Sequence, residues 1–229
     1  MLPWDELPDH MKNDQVKRYY DKLKKKEKQL CLKRMFDVGV SVFLLMLLLP
    51  VLIVISILIS CESKGGFLFT QERVTTYGRV FRIYKFRTMV KDAESMGSLV
   101  TTDEDARVTK IGGFLRKYRL DELPQLVNII KGDMSLVGTR PEVTKYVREY
   151  KPEMYATLLM PAGVTAEASI RYKDEATRLK GVAGEDADSV YVDEILPEKM
   201  KYNLDYVENY SFLRDIKLCI KTVISVVTD

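Results

Sequence analysis

Two adjacent carboxylates, Asp121 and Glu122, stand in the run Leu120-Asp121-Glu122-Leu123-Pro124, directly after the cations Arg116, Lys117 and Arg119. This combination suits chemistry at phosphorus. An ionised Asp can attack a phosphorus atom, and a neighbouring Glu can hold one Mg²⁺ that takes its other ligands from water and substrate phosphates. A helix starting here would assist both, because its free amides attract phosphate oxygens and its partial positive charge favours the ionised carboxylate. Asp121 has the character of an N-cap, and Pro124 falls in the first turn, where proline is tolerated. Taken alone, an Asp-Glu pair at a helix start is more often a cap and dipole complement, so its surroundings must decide.

The chain has 229 residues, enough for one substantial domain and an appendage. A formal charge of +3 is too small to suggest a nucleic-acid binder. The basic residues matter through their placement, bunched near an apolar segment and near the acidic pair. The single histidine, His10, lies in a polar N-terminal stretch and is expected on the surface. Catalysis by a His pair and a His-based zinc site are therefore excluded. Cys31, Cys61 and Cys219 are far apart and odd in number, which reads as reduced thiols on a cytosolic face.

Val38–Cys61 carries no charge. A helix of this length reaches roughly 36 Å, enough for a hydrocarbon core of about 30 Å. It starts too late and is too long for a cleavable signal peptide. Pro50 sits near its middle, where it removes a backbone donor, and both flanks are basic: Lys33 and Arg34 before, Lys64, Arg73 and Arg79 after. With basic flanks on both sides the charge rule gives no direction. A re-entrant helix hairpin, broken at Pro50 and returning to the same face, satisfies both observations and is preferred to a straight span. The expected organisation is a basic N-terminal helical segment over 1–34, a membrane segment over 35–61 and a cytosolic catalytic domain over 62–229. From about Val16 to Arg34 the apolar positions Val16, Tyr19, Tyr20, Leu23 and Leu30 recur at helical spacing, around the run Lys22–Lys28. This is either a solvated helix or a basic helix lying on anionic lipid.

Beyond the apolar segment, Phe67–Arg73 and Arg79–Met89 read as two strands. In the second, Phe81, Ile83, Lys85 and Arg87 would share a face. Two cations there would either receive an anion or protect an edge strand. Residues 91–110 read as a mobile loop and Ile111–Tyr118 as a short helix. A further helix carries Leu123, Leu126, Val127 and Ile130 as its apolar stripe and stops at Lys131-Gly132-Asp133. Gly138-Thr139-Arg140-Pro141 is a turn presenting an Arg. Glu142–Leu159 is again helical in pattern, Pro161–Val164 a turn, and 173–194 an acidic surface loop. Pro197–Tyr206 and Phe212–Val227 read as amphipathic helices, the last with Ile216, Ile220, Val223, Ile224 and Val227 on one side, for the core or a membrane surface. The fold class is α+β, mostly α, with a small β-hairpin or sheet.

Read in order, several stretches resemble the bacterial sugar transferases, the small monotopic phosphoglycosyl transferases that start glycan assembly on a polyprenol carrier. They are Lys33-Arg34 with Asp37; Phe69–Arg73; Tyr84–Met89; Arg116 through Leu126; and Lys131–Ser135 with Arg140-Pro141. The resemblance implies a two-step reaction on the cytosolic face of the bacterial inner membrane. Asp121 would attack the sugar-bearing phosphate of a UDP-sugar, release UMP and pass the phosphosugar to polyprenol (undecaprenyl) phosphate. It also implies that Glu122 carries Mg²⁺ and that Lys85, Arg87, Arg116, Asp133, Arg140 and Pro141 serve substrate phosphates and nucleotide. Lys33, Arg34, Asp37 and Pro50 would serve the membrane segment. Expected partners are the donor, the acceptor and anionic lipids, not nucleic acid; a homodimer is left open, as are the sugar and the pathway (polysaccharide, O-antigen, capsule or glycoprotein). The chain departs from the family pattern at Thr139, where many members have Pro, and at Gly163–Ala168, where a Gly-Trp-Ala-Gln segment is usual. No further span precedes its apolar segment, unlike in larger members. A non-catalytic membrane adaptor for glycan enzymes is the runner-up and predicts that Asp121→Asn is silent. An aspartyl-phosphate hydrolase finds no Asp-x-Asp motif at a strand end.

Overall fold

The computed structural model describes residues 1–93, 105–171 and 185–228. It is an α+β fold, mostly helical, with two two-stranded sheets. Helix α1 spans Asp14–Lys24 and is capped by the Asn13 side chain, which accepts from the Val16 amide at 3.0 Å. Its apolar stripe, Val16, Tyr19, Tyr20 and Leu23, is buried in one cluster with Tyr146, Met154, Tyr206 and Tyr210. Burying each such side chain contributes about 1.5–3 kcal/mol. The stripe therefore faces the protein core, and the N-terminal segment shares that core with residues far along the chain. Lys22 and Lys24 pair with Glu208 and Glu27.

Helix α2 spans Glu27–Glu62 and is long and apolar enough to cross a membrane by length and composition. It is one continuous helix with Pro50 inside, in place of the expected break. A proline removes a single backbone bond and bends an axis; the apolar turns on either side keep theirs. Lys33, Arg34 and Asp37 belong to the same helix as the apolar segment. Both of its ends meet the rest of the protein. Near the start, Arg34 donates to the Ile129 carbonyl and Asp37 accepts from Ser135; at mid-helix, Leu44 and Leu45 pack on Phe81, Ile83, Leu126, Ile129 and Met134. Near the end, Ile55 and Ile59 are buried with Phe86 and Leu115, and the Glu62 carboxylate accepts from the Ile111 amide at 3.1 Å. The outer surface of the helix, including Phe43, Met46, Leu47, Val54 and Ile57, is exposed.

Strands β1 (Leu68–Val74) and β2 (Val80–Phe86) form the expected antiparallel hairpin. Helix α3 (Lys110–Lys117) follows, capped by the Thr109 side chain. Helix α4 (Gln125–Lys131) ends at Gly132, whose φ of 87° is the left-handed conformation that terminates helices. Its buried positions are Gln125, Leu126, Asn128 and Ile129, shifted from the predicted stripe. Strand β3 (Met134–Val137) pairs in parallel with β4 (Ala162–Thr165), so the predicted turn at Pro161–Val164 is a strand. The two chains touch at Gly138 and Gly163: a Cβ on Gly163 would stand 2.1 Å from the Gly138 amide nitrogen.

The helix expected over Glu142–Leu159 is instead the short α5 (Thr144–Val147) and a 3₁₀ segment over Pro152–Leu159, since Pro152 stops the first. After α6 (Glu167–Arg171) the described chain resumes at α7 (Glu185–Val190), and a π turn over Tyr191–Ile195 buries Tyr191 and Ile195. That part of the predicted 173–194 loop is ordered helix; the rest of it, and residues 94–104 of the predicted 91–110 loop, lie outside the described residues. Helices α8 (Leu196–Glu208) and α9 (Phe212–Thr228) fall where predicted. On α9, Leu218 and Asp215 face inward while Ile220 and Ile224 are each 55% exposed, so the isoleucine side does not pack in the core. The side chains of Val223 and Val227 lie outside the described residues.

Candidate active site

Asp121 and Glu122 lie in a 3₁₀ turn over Leu120–Glu122, before α4 and not at its N-cap; that position is taken by Pro124. The turn is entered through Arg119 in the left-handed conformation (φ 53°). The pair is therefore aimed by a sharp turn and its neighbours, not by a capped helix end. Both carboxylates are buried, at 8% exposure each.

Their surroundings differ. Oε1 of Glu122 accepts from Lys85 Nζ at 3.0 Å and from Arg140 Nη2 at 2.7 Å. Burial pushes the Glu122 pKa up, but Arg140 and Lys85 outweigh it and hold the group well below its ordinary value. No side-chain hydrogen bond or ion pair among the described residues engages the Asp121 carboxylate. Burial raises its pKa first and the Glu122 charge raises it further, against the pull of Lys85, Arg116 and Arg140; the net direction is up. Two adjacent carboxylates are thus separated electrostatically, one fixed as an anion and one without an ion pair among the described residues.

Lys85 reaches Glu122 because α4 is fastened to β2. The buried Asn128 side chain accepts from the Tyr84 amide at 2.9 Å and donates to the Arg82 carbonyl at 2.8 Å, supplying the bonds a neighbouring strand would make. Arg116 donates through Nε to Thr88 Oγ1 at 2.8 Å, and Asp121 exerts the largest favourable charge effect on it, ahead of Asp105. Pro141 accepts through its carbonyl from Arg73 at 3.0 Å.

Two predicted phosphate ligands are employed elsewhere. Arg87 lies just past β2 and donates to the Ser63 and Lys64 carbonyls at 2.8 and 3.1 Å, pinning the turn after α2. Asp133 pairs with Arg79 at 2.8 Å and accepts from Asn128 at 3.3 Å, fixing the α4–β3 connection. Both are short-range consequences of where each element ends. The residues ahead of the apolar segment act as anchors. Lys33 meets Asp215 at 2.6 Å and the Val137 carbonyl at 2.8 Å. Asp37 accepts from Ser135 at 2.6 Å, and Arg34 caps the end of α4 through the Ile129 and Ile130 carbonyls at 2.5 and 2.9 Å.

Sequence reasoning missed Arg73, Gln125 and Glu142. Arg73, Gln125, Lys85 and Arg140 line one cleft. Glu142 is buried behind it, accepts from Tyr191 at 2.8 Å, and is held below its ordinary pKa by Lys199 and Arg73 against the effect of burial. Gln125 could have been found from its spacing, four residues after Asp121.

The geometry defines a buried carboxylate pair walled by cations, beside a long apolar helix. Residues 28–229 match the family described as bacterial sugar transferase, and the chain belongs to that family. A UDP-N-acetylgalactosamine-undecaprenyl-phosphate N-acetylgalactosaminephosphotransferase of Aeromonas hydrophila is 35% identical over 86% of this chain and 44% of its own. A UDP-glucose:undecaprenyl-phosphate glucose-1-phosphate transferase of Caulobacter vibrioides is 35% identical over 86% of this chain and 70% of its own. One of that name from Escherichia coli is 32% identical over 84% of this chain and 39% of its own. The chain thus spans under half of two of these relatives.

Proposed function

We propose that this chain transfers a sugar-1-phosphate from a UDP-sugar to a polyprenol phosphate, through a phosphosugar carried on Asp121, as the first membrane step of a glycan assembly. The observation that carries the reading is the contrast at the pair: Glu122 takes Lys85 and Arg140, and Asp121 is buried beside them with no hydrogen-bond or ion-pair partner for its side chain among the described residues. A nucleophile locked in an ion pair would attack poorly.

The reaction balances without a proton. An Asp121 carboxylate oxygen forms a bond to the sugar-bearing phosphorus, the bond to the bridging oxygen breaks, and its electron pair leaves with UMP. The polyprenol phosphate oxygen then attacks the same phosphorus and returns the carboxylate. Every nucleophile and leaving group is a carboxylate or phosphate, so no general acid or base is required, in keeping with a chain that has one histidine, exposed and remote from the pair in sequence. Splitting one displacement into two lets donor and acceptor use one phosphate site in turn.

Lys85, Arg116 and Arg140 neutralise substrate phosphates and orient them toward Asp121. Among the described residues no group of three or more His, Cys, Asp or Glu is gathered. With Oε1 of Glu122 taken by Lys85 and Arg140, its other oxygen fits Mg²⁺ only in the ion's water- and phosphate-rich form, with Glu122 as the protein ligand. Bound there, Mg²⁺ would offset charge on the diphosphate. The relatives named above differ in sugar, N-acetylgalactosamine in one and glucose in two, so the donor is assigned only as a UDP-sugar.

A lipid acceptor calls for a site at the bilayer surface. The exposed apolar surface of α2 supports a membrane segment that keeps the pair at the cytosolic face of the inner membrane, and a bend at Pro50 within the continuous helix, in place of a break, would return it to the same face. The test is UMP release by purified protein given a panel of UDP-sugars, Mg²⁺ and polyprenol phosphate. Release with at least one donor is expected. No release across a broad panel would overturn the assignment, and wild-type rates in Asp121→Asn would favour the adaptor.

A further inference from the structure

Gln125 is 2% exposed, yet its side-chain Nε2 has no hydrogen-bond partner among the described residues. A buried amide donor without an acceptor costs free energy, and interiors keep few of them. Its position suggests the use. The cleft it lines carries Arg73, Lys85 and Arg140: two guanidinium groups, an ammonium and an amide. Arg73 spends its bonds on neutral acceptors, Gln71 Oε1 at 3.0 and 2.6 Å and the Pro141 carbonyl at 3.0 Å. The charge of this lining, of which Glu122 offsets one unit through Lys85 and Arg140, suits a ligand that offers acceptor oxygens with negative charge.

Gln125 also has a fixed relation to the nucleophile. From the 3₁₀ turn over Leu120–Glu122, through Leu123 and Pro124 in right-handed helical conformation, into α4, the backbone is helical in sense throughout. Residues four apart on such a run stand within about a third of a turn of one another, and Lys85, whose ammonium lies 3.0 Å from Glu122 Oε1, lines the cleft with Gln125.

We propose that Gln125 Nε2 donates a hydrogen bond to a non-bridging oxygen of the phosphoryl group as that group passes to and from Asp121. This rests on the transferase reading. In each half-reaction the attacking and leaving oxygens are roughly in line, and the remaining oxygens project sideways, where a donor beside the nucleophile meets them. The electron pair still leaves with UMP, and no proton moves. A neutral donor suits this place better than a further cation, because it cannot form an ion pair with Asp121.

The test is Gln125→Met, which keeps length and volume and removes the donor, beside Gln125→Glu, which keeps the shape and replaces the donor with an acceptor. The ligand-free Gln125→Met protein should melt at or above the wild-type temperature, because no protein bond is lost. In both variants kcat for UMP release should fall about 10²–10³-fold, as when an oxyanion-type donor is removed, with a smaller change in KM. The loss should be equal for every UDP-sugar accepted. Wild-type kcat in Gln125→Met, a loss confined to one sugar, or lower melting in both variants would each overturn the proposal. An inactive wild type overturns the transferase reading and this proposal with it; an active wild type with a fully active Gln125→Met overturns the proposal alone.

Discussion

Lys85 Nζ lies 3.0 Å from Glu122 Oε1, across 37 residues of sequence, and makes no ion pair with Asp121 next door. Arg140 joins the same oxygen at 2.7 Å. The division leaves one carboxylate as a fixed anion and the other as the candidate nucleophile.

In the proposed mechanism the reactive form of Asp121 is the carboxylate; its pKa is raised above the ordinary 3.8, chiefly by burial and then by Glu122, with Lys85 opposing. The rate of UMP release should therefore fall in acid through a pKa above 3.8. Lys85→Met removes a lowering charge, so the acid limb should move to higher pH. A pH–rate profile of single turnover for both proteins checks the direction; a limb that moves down would contradict it.

Glu122 has the opposite sign. Its folded pKa lies below the ordinary 4.5, so its stabilisation is fully present above that value and is lost as pH falls through it toward the folded pKa. Glu122→Gln should cost about 1–3 kcal/mol at neutral pH, discounted from a fully buried pair because Lys85 and Arg140 keep some water. The melting difference between wild type and variant should shrink below pH 4.5. A difference independent of pH would show that the charge is not the cause.

Much of the site could be read from the chain because its chemistry comes in ordered short runs. Asp121-Glu122, Lys85, Arg116 and Arg140 announced themselves by charge beside helix and turn signals, and α2 by its lack of charge. The remainder depends on partners distant in sequence. Nothing local says that Ala162–Thr165 pairs in parallel with β3, or that Arg119 adopts a left-handed turn that takes Asp121 off the helix cap. Arg87 alternates correctly for the Lys85 face, but the strand ends at Phe86, and the side chain serves the turn after α2.

Lys33 and Asp215 are buried at 3% exposure each and meet at 2.6 Å, fastening α2 to α9. Lys33→Met leaves Asp215 buried without its cation and should cost about 3–5 kcal/mol. Adding Asp215→Leu should restore part of that loss. Thermal melting of the detergent-solubilised double-mutant cycle measures the coupling; strictly additive losses would refute it.

Cys31 and Cys61 are both exposed, near opposite ends of α2. A re-entrant segment puts both on one side of the membrane. Impermeant thiol reagents applied from the cytosolic side should label each. Labelling of Cys61 only from the outer side would require a full span.

The claim that Asp121 carries the phosphosugar is tested most directly by intact-protein mass after exposure to a UDP-sugar that supports UMP release, with polyprenol phosphate withheld. The account predicts a mass increase equal to one phosphosugar, lost on adding polyprenol phosphate and absent in Asp121→Asn. UMP release that requires the acceptor from the outset, with no adduct on the wild-type protein, would contradict it.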